Sequence, residues 1–197
     1  EVLQAEGFQV TTLDSGARAF DWLVEHTPDL MLLDLKMKEV GALDIRNQCS
    51  GFVYALSVAD QFIKTGMYKN ILVVGAEKLS SIVDPEDRGT AILFGDGAGA
   101  GILQRNASGD GRGILATYLG ADGRLADLLH IPGGGAADPI TIELVQEKRH
   151  LIRMAGREVF RAAVLAMSRS TDEAIRKAGM TADDIDWLIP HQANLRI

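Results

Sequence analysis

The sequence predicts an α/β fold, because apolar runs of strand length alternate with stretches of helical periodicity. Residues 70–75 enclose an uninterrupted apolar run that is typical of a buried strand. Residues 50–64 and 154–178 instead place apolar side chains three and four positions apart, as a helix packed along one face requires. A glycine follows each predicted helix, Gly66 and Gly179, in the position of a C-terminal cap.

The first part of the chain, residues 1–36, predicts a short β-α-β segment of flavodoxin-like type. Residues 29–35 have a buried-strand pattern that contains Asp34 near its end. This segment resembles part of a response-regulator receiver domain, in which Asp34 would match the phosphate-accepting aspartate. The acidic pair of that family would lie upstream, and its later threonine and lysine strands do not follow. Two other interpretations therefore stay equally open. Asp34 is a solvated carboxylate at a strand end, or the segment comes from a hybrid reading frame.

Cys49 is the single cysteine, and it lies where an apolar run over residues 42–45, interpreted as a strand end, meets the predicted helix over residues 50–64. Unpaired N–H groups and the helix dipole favour an anion at such a position, and the thiolate is the nucleophilic form of cysteine. The pattern thus points to a nucleophile. The alternative is a small core residue, because most lone cysteines are buried hydrophobes.

The second half of the chain continues the alternation of strands, turns and helices. The glycine-rich residues 95–99 match a dinucleotide-binding fingerprint only in part, since an apolar strand rather than a helix follows them. We interpret these glycines as a turn with close backbone packing. Thr181 is expected to cap a short turn. Further strands are predicted at residues 91–94, 100–103, 113–118 and 186–190, with loops at residues 84–87 and 120–138.

Composition excludes several classes of function. A net charge of −7 argues against a nucleic-acid-binding surface. Neither a transmembrane run nor a signal peptide is evident in the sequence. One cysteine fits a reducing cytoplasm, and four scattered histidines predict no metal site. The chain starts at Glu1 and stops at Ile197 within a motif, which predicts a segment truncated at both ends.

Four long motifs occur in a fixed order, beginning with Asp-Ile-Arg-Asn-Gln-Cys-Ser-Gly-Phe around Cys49. The other three are Asp-Pro-Glu-Asp-Arg-Gly-Thr at residues 84–90, Phe-Gly-Asp-Gly-Ala-Gly-Ala at residues 94–100, and Pro-His-Gln-Ala-Asn-Leu-Arg-Ile at residues 190–197. Residues 37–197 thereby resemble 3-oxoacyl-[acyl-carrier-protein] synthase III. The resemblance implies an incomplete thiolase-like layered fold, with the end of one mixed-sheet half and the start of the next.

The resemblance also implies a decarboxylative condensation. Cys49 would take the acyl group of an acyl-CoA primer, with acetyl-CoA expected, and malonyl-acyl-carrier-protein would then extend it. His191 would stabilise the enolate formed as CO2 leaves. The family's third catalytic residue, an asparagine, and a glycine-rich oxyanion segment would lie beyond Ile197. A homodimer and no permanently bound cofactor are implied as well, with the CoA thioester as substrate.

Further residues match the family's substrate-binding positions. Arg88 matches the arginine that packs on the CoA adenine, Phe94 an acyl-pocket position, and Arg161 and Arg196 basic positions where the acidic carrier protein docks. The positions along the CoA and pantetheine tunnel are Met154, Gly156, Phe160 and Asn194. Two rival interpretations remain open, namely a signalling fusion with a receiver-like segment and a catalytically inactive truncated fold.

Overall fold

The computed structural model describes residues 41–193, together with Gln9, Thr11, Arg18 and Trp22. The chain divides into two units, residues 1–46 and residues 47–197, and the elements below belong to the second. The predicted β-α-β segment with Asp34 lies outside the described residues apart from those four positions, and Asn194 and Arg196 lie outside them as well. The boundary predicted between residues 36 and 37 stays a prediction.

Residues 41–193 form a mixed α/β structure, as the sequence predicts. The α-helices are α1 (Gly51–Lys64), α2 (Arg88–Ala91), α3 (Ile142–Gln146) and α4 (Gly156–Lys177). The strands are β1 (Asn70–Lys78), β2 (Asp96–Gln104), β3 (Leu129–His130) and β4 (Arg153–Met154). Short 3-10 turns occur at Gln48–Ser50, Leu79–Ser81, Gly123–Leu128 and Ala182–Asp184. None of the helices in this part of the chain has the length and hydropathy that a membrane span needs.

The first packing layer consists of α1 against an antiparallel pair of strands. Strands β1 and β2 pair in continuous register from Asn70 opposite Gln104 to Lys78 opposite Asp96. Ala59, Ile63 and Val73 are buried where helix and strands meet. Gly75 of β1 permits a close approach, because a Cβ there would lie 3.4 Å from Cδ2 of Phe52. The helix that begins beside Cys49 is thus held against the sheet near its first turn.

A second apolar cluster lies around α3 and the strand pair β3–β4. Leu144, Leu151 and Ile152 are its buried members. The Ile152 N–H donates to the Ile82 carbonyl at 2.9 Å, and this bond ties the segment before β4 to the chain before α2. This hydrogen bond therefore connects two regions that are distant in sequence.

The strand predicted at residues 91–94 is wrong. Residue 91 ends α2, and the N–H groups of Leu93 and Phe94 both donate to the Thr90 carbonyl, at 3.0 Å and 3.2 Å. The Asp87 carboxylate accepts from the Gly89 N–H at 2.9 Å and starts the helix instead. Local capping thus determines the backbone conformation over this apolar run.

The glycine-rich residues 95–99 do not form the predicted tight turn. Residues 96–99 lie inside β2, and the strand predicted at residues 100–103 is only the later part of it. A Cβ added at Gly95, Gly97 or Gly99 would meet no atom within 4 Å. The predicted close backbone packing at these glycines is therefore wrong.

Three other apolar runs, at residues 42–45, 113–118 and 186–190, are not strands. Each lacks a hydrogen-bonded neighbouring strand within the described part of the chain, and an extended run becomes a strand only when it is paired. Residues 113–118 are held instead by side chains. The Ser57 and Thr117 hydroxyls lie 3.2 Å apart, and Lys177 Nζ donates to the Thr117 carbonyl at 3.3 Å.

The predicted helix ends are confirmed. Gly66 and Gly179 follow α1 and α4 with φ of +76° and +71°, the left-handed conformation that glycine adopts without steric cost. Thr181 precedes the turn Ala182–Asp184 as predicted, and its N–H and hydroxyl both donate to Asp184 Oδ2 at 2.8 Å, while the Asp184 N–H donates to the Thr181 carbonyl at 3.2 Å.

Gly179→Ala is expected to destabilise the fold by about 1 kcal/mol, because the Cβ of alanine makes a left-handed φ sterically unfavourable, whereas glycine has no Cβ. Urea unfolding followed by circular dichroism measures this change. Gly135→Ala is the matched control, since Gly135 has no positive φ and a Cβ there meets no atom within 4 Å. Equal midpoints for the two variants would contradict this account of the cap.

Candidate active site

Cys49 lies at the N-terminal end of α1, as predicted. It is the middle residue of the 3-10 turn Gln48–Ser50, which leads directly into the helix, and its side chain is exposed. Ser50 closes the turn, because its N–H donates to the Asn47 carbonyl at 3.2 Å and its hydroxyl to the same oxygen at 3.0 Å. The exposed thiol does not fit the alternative interpretation of Cys49 as a buried core residue.

The residue before Cys49 has an unusual backbone conformation. Gln48 has φ of +45°, in the left-handed region that few residues other than glycine and asparagine occupy. Such a conformation costs on the order of 1–3 kcal/mol and persists where the surrounding structure requires it, often next to reactive groups. Glutamine carries no sequence signal for a positive φ, so the sequence does not predict this feature.

Side chains of α1 fix the helix that presents Cys49. The Tyr54 hydroxyl donates to the Gly120 carbonyl at 3.2 Å. Ser57 contacts Thr117 one turn later, and Phe52 lies against Gly75. The first two turns of α1 are thus attached to two separate segments, so the helix N-terminus has a defined position.

His191 is exposed and lies in a segment without regular secondary structure. The preceding Trp187 and Ile189 expose 85% and 84% of their surface. No hydrogen bond among the described residues joins Cys49 to His191. The structure therefore presents both predicted catalytic side chains to solvent without linking them directly.

Arg88 is the first residue of α2, and its side chain is exposed. Thr90 anchors this single turn, because its hydroxyl donates to Asp87 Oδ2 at 2.8 Å and its surface is only 1% exposed. Arg88 forms no ion pair within residues 41–193. Its guanidinium is thus available on the outer side of a short, firmly held helix, with Phe94 half-buried just beyond it.

Met154, Gly156 and Phe160 come together where β4 passes into α4. Met154 pairs with Leu129 and is half-buried, and a Cβ on Gly156 would lie 3.4 Å from Met154 Cε. Phe160 follows one turn into α4 and is also half-buried, whereas Arg161 beside it is exposed. Three of the predicted tunnel positions are therefore adjacent, with one basic docking position next to them.

A cleft of about 380 Å³ lies at the opposite end of α1 and contains none of the predicted site residues. Its charged lining side chains include Asp60, Lys64, Arg105 and Arg112. Asp60 and Lys64 pair with each other at 2.6 Å. Within the part of the chain that the structure describes, no group of three or more His, Cys, Asp or Glu side chains is arranged to hold a metal ion.

The described residues place an exposed cysteine at the N-terminal end of a helix that packs against a two-stranded antiparallel sheet. Residues 43–123 match the family model described as 3-Oxoacyl-[acyl-carrier-protein (ACP)] synthase III. The predicted resemblance to 3-oxoacyl-[acyl-carrier-protein] synthase III is thereby confirmed, and so is the predicted fold class of residues 37–197.

Curated relatives agree with this family. The chain is 48% identical over 171 residues to the beta-ketoacyl-[acyl-carrier-protein] synthase III of Caldanaerobacter subterraneus subsp. tengcongensis, covering 87% of the chain and 51% of the relative. It is 41% identical over 189 residues to that of Chlamydia muridarum, covering 96% of the chain and 58% of the relative. Both alignments therefore reach into residues 1–36. The chain spans about half the length of the relatives it matches.

Solved structures show the same fold. The 3-oxoacyl-[acyl-carrier-protein] synthase III of Aquifex aeolicus superposes with a TM-score of 0.69 at 48% identity, covering 82% of this chain and 47% of that one. The Pseudomonas aeruginosa enzyme gives a TM-score of 0.64 at 38% identity, covering 75% of this chain and 43% of that one.

Proposed function

We propose that this chain carries the acyl-accepting part of a 3-oxoacyl-[acyl-carrier-protein] synthase III, with Cys49 as the nucleophile. The observation that carries the proposal is the exposed Cys49 thiol at the N-terminus of α1, directly after a left-handed Gln48. The thiolate is the form of cysteine that attacks a thioester. The family match over residues 43–123 includes this turn.

The first half-reaction is acyl transfer. The Cys49 thiolate attacks the carbonyl carbon of an acyl-CoA, with acetyl-CoA as the expected primer. A new carbon–sulfur bond forms on Cys49, the bond to the CoA sulfur breaks, and CoA leaves as its thiolate and takes up a proton from solvent. The acyl group is then stored as a thioester on the protein.

The second half-reaction is decarboxylation and condensation. Malonyl-acyl-carrier-protein loses CO2, and the resulting carbanion attacks the acyl carbon on Cys49. The carbon–sulfur bond to Cys49 breaks, which regenerates the thiolate and releases 3-oxoacyl-acyl-carrier-protein. We assign to His191 the donation of an N–H to the thioester oxygen that becomes negative as CO2 leaves.

The substrate would bind along the residues that the sequence predicts for it. Arg88 would hold the nucleotide end of CoA, Phe94 would line the acyl pocket, and Arg161 and Arg196 would contact the acidic carrier protein. The exposed Arg88 and Arg161 form no ion pair within residues 41–193, which leaves both cations available to ligands. The tunnel positions would be Met154, Gly156, Phe160 and Asn194. We further propose a homodimer in the cytoplasm, with CoA thioester as substrate and no permanently bound cofactor.

The complete reaction is tested by release of labelled CO2 from malonyl-acyl-carrier-protein in the presence of acetyl-CoA. His191→Ala is expected to lower the release about a hundred- to a thousand-fold, the usual cost of one lost oxyanion donor, while acylation of Cys49 continues. Gln192→Ala serves as the neighbouring control. An unchanged rate for His191→Ala would contradict the role of His191, and acylation without any CO2 release would restrict the proposal to the first half-reaction.

A further inference from the structure

A cluster of three charged side chains ties the turn before α2 to a distant segment. Lys148 Nζ lies 3.0 Å from Oδ2 of Asp84 and 2.5 Å from Oε2 of Glu86. The side chain of Asp84 is 7% exposed and that of Lys148 is 41% exposed, so one of the two contacts is substantially shielded from water. We call Lys148, Asp84 and Glu86 the Lys148 clamp.

The backbone around the clamp is held on both sides. Asp84 Oδ1 accepts from the Glu86 N–H at 3.0 Å, and the Asp84 carbonyl accepts from the Asp87 N–H at 3.0 Å. Bonds from the Glu86 N–H and from Lys148 hold the pKa of Asp84 below its usual value, so the carboxylate stays charged at neutral pH. The turn over residues 84–87 is thus held both by its own backbone hydrogen bonds and by Lys148.

Lys148 occupies a backbone conformation that lysine rarely adopts. Its φ is +56°, whereas glycine or asparagine is the usual residue in this region. The Lys148 N–H donates to the Val145 carbonyl at 3.0 Å and the Lys148 carbonyl accepts from the Leu151 N–H at 3.2 Å, so the turn itself is well formed. Neither glycine nor asparagine carries a side chain that could reach Asp84 with a positive charge. The ion pair with Asp84 needs a long cationic side chain, and this need accounts for a lysine at a strained position.

The clamp leads directly to Arg88. Asp87, which follows the clamped residues, caps α2 through the Gly89 N–H, and Arg88 is the first residue of that helix. Because Arg88 is the first residue of α2, the backbone of this turn sets where its side chain begins and therefore which region its guanidinium can reach. We propose that Lys148 is a positioning residue that holds Arg88 in place for the nucleotide end of a CoA thioester. This inference rests on the proposed function.

The test compares two acyl donors that differ only in the nucleotide part. Acetyl-CoA carries the nucleotide, and the acetyl thioester of N-acetylcysteamine lacks it. For Lys148→Met, the half-saturating concentration of acetyl-CoA in Cys49 acylation is expected to rise about tenfold, equivalent to about 1.4 kcal/mol of binding. The saturating rate and the reaction with the short thioester are expected to stay unchanged, and Lys148→Arg is expected to restore most of the binding.

Two further comparisons separate positioning from general stability. Arg88→Ala is expected to show the same selective loss, and adding Lys148→Met to it is expected to change little more, since both act through one contact. Lys64→Met is the matched control, because it removes another lysine–aspartate pair, with Asp60 at 2.6 Å. Glu86→Gln, which keeps the Asp84 contact, is expected to give a smaller selective loss and replaces Lys148→Met if that variant does not fold.

The outcomes are distinct. Equal losses with both thioesters, or effects of Lys148→Met and Arg88→Ala that add in full, would overturn the positioning role while leaving the acyl transfer intact. A folded unmodified chain that is acylated by neither thioester would overturn the proposed function and this inference with it. A selective, non-additive loss confined to acetyl-CoA would support the Lys148 clamp.

Discussion

Alanine in place of Cys49 is expected to abolish covalent acylation by acetyl-CoA. The thiol is the nucleophile in the proposed reaction, and alanine offers no atom that forms a bond to the acyl carbon. Cys49→Ser is expected to be nearly as inactive, because a hydroxyl at this position ionises far less readily than a thiol. Intact-protein mass measurement after incubation with acetyl-CoA would show an acylated species for the unmodified chain and none for either variant.

The control for this prediction lies on the same helix. Thr65→Ala changes an exposed residue at the far end of α1, where the threonine hydroxyl donates to the Phe62 carbonyl at 3.2 Å. This variant is expected to be acylated like the unmodified chain. Full acylation of Cys49→Ala would mean that another group accepts the acyl chain, and the assignment of the nucleophile would then be wrong.

Leu144→Ala is expected to destabilise the fold by about 2–5 kcal/mol, the usual cost of emptying a buried leucine site. Leu144 is 2% exposed and occupies the space that a Cβ on Gly133 would need, so the site is closely packed. The loss would be measured as the free energy of unfolding in urea.

Val145→Ala is the matched control for this prediction, since Val145 is the next residue and is 43% exposed. Its loss is expected to stay within about 0.5 kcal/mol, as for most surface substitutions. If both variants unfold at the same urea concentration, the cluster around Leu144 does not contribute to stability in the way its burial indicates.

The two long helices, α1 and α4, were predictable from the sequence because their signals are local, whereas the short α2 and α3 were not predicted. The apolar periodicity of α1 and α4 and the glycines after them act within a few residues, and the observed bounds agree with the prediction closely. Strands were less predictable, because apolar alternation reports burial and says nothing about which strand lies alongside. Residues 186–190 show this, since Trp187 and Ile189 have a strand-like pattern and remain exposed without a paired neighbour in the described part of the chain.

The candidate site, like the fold, was predictable only in part. The position of Cys49 follows from where a helix begins, and the structure bears out that position. The left-handed Gln48 and the Lys148 clamp were not predictable, because a positive φ at glutamine or lysine has no sequence signature. Lys148 also lies 64 positions from Asp84 and 62 positions from Glu86 along the chain, and no periodic sequence pattern extends over such a separation.

The most direct test of the central claim is to locate the acyl group on the unmodified chain. The chain would be incubated with acetyl-CoA, digested at acidic pH, and its peptides analysed by mass spectrometry. Our account predicts one acylated peptide, which contains Cys49, and loss of the acyl group on treatment with neutral hydroxylamine, as expected for a thioester. An acyl group on a different residue, or a folded chain without any acyl group, would contradict the account.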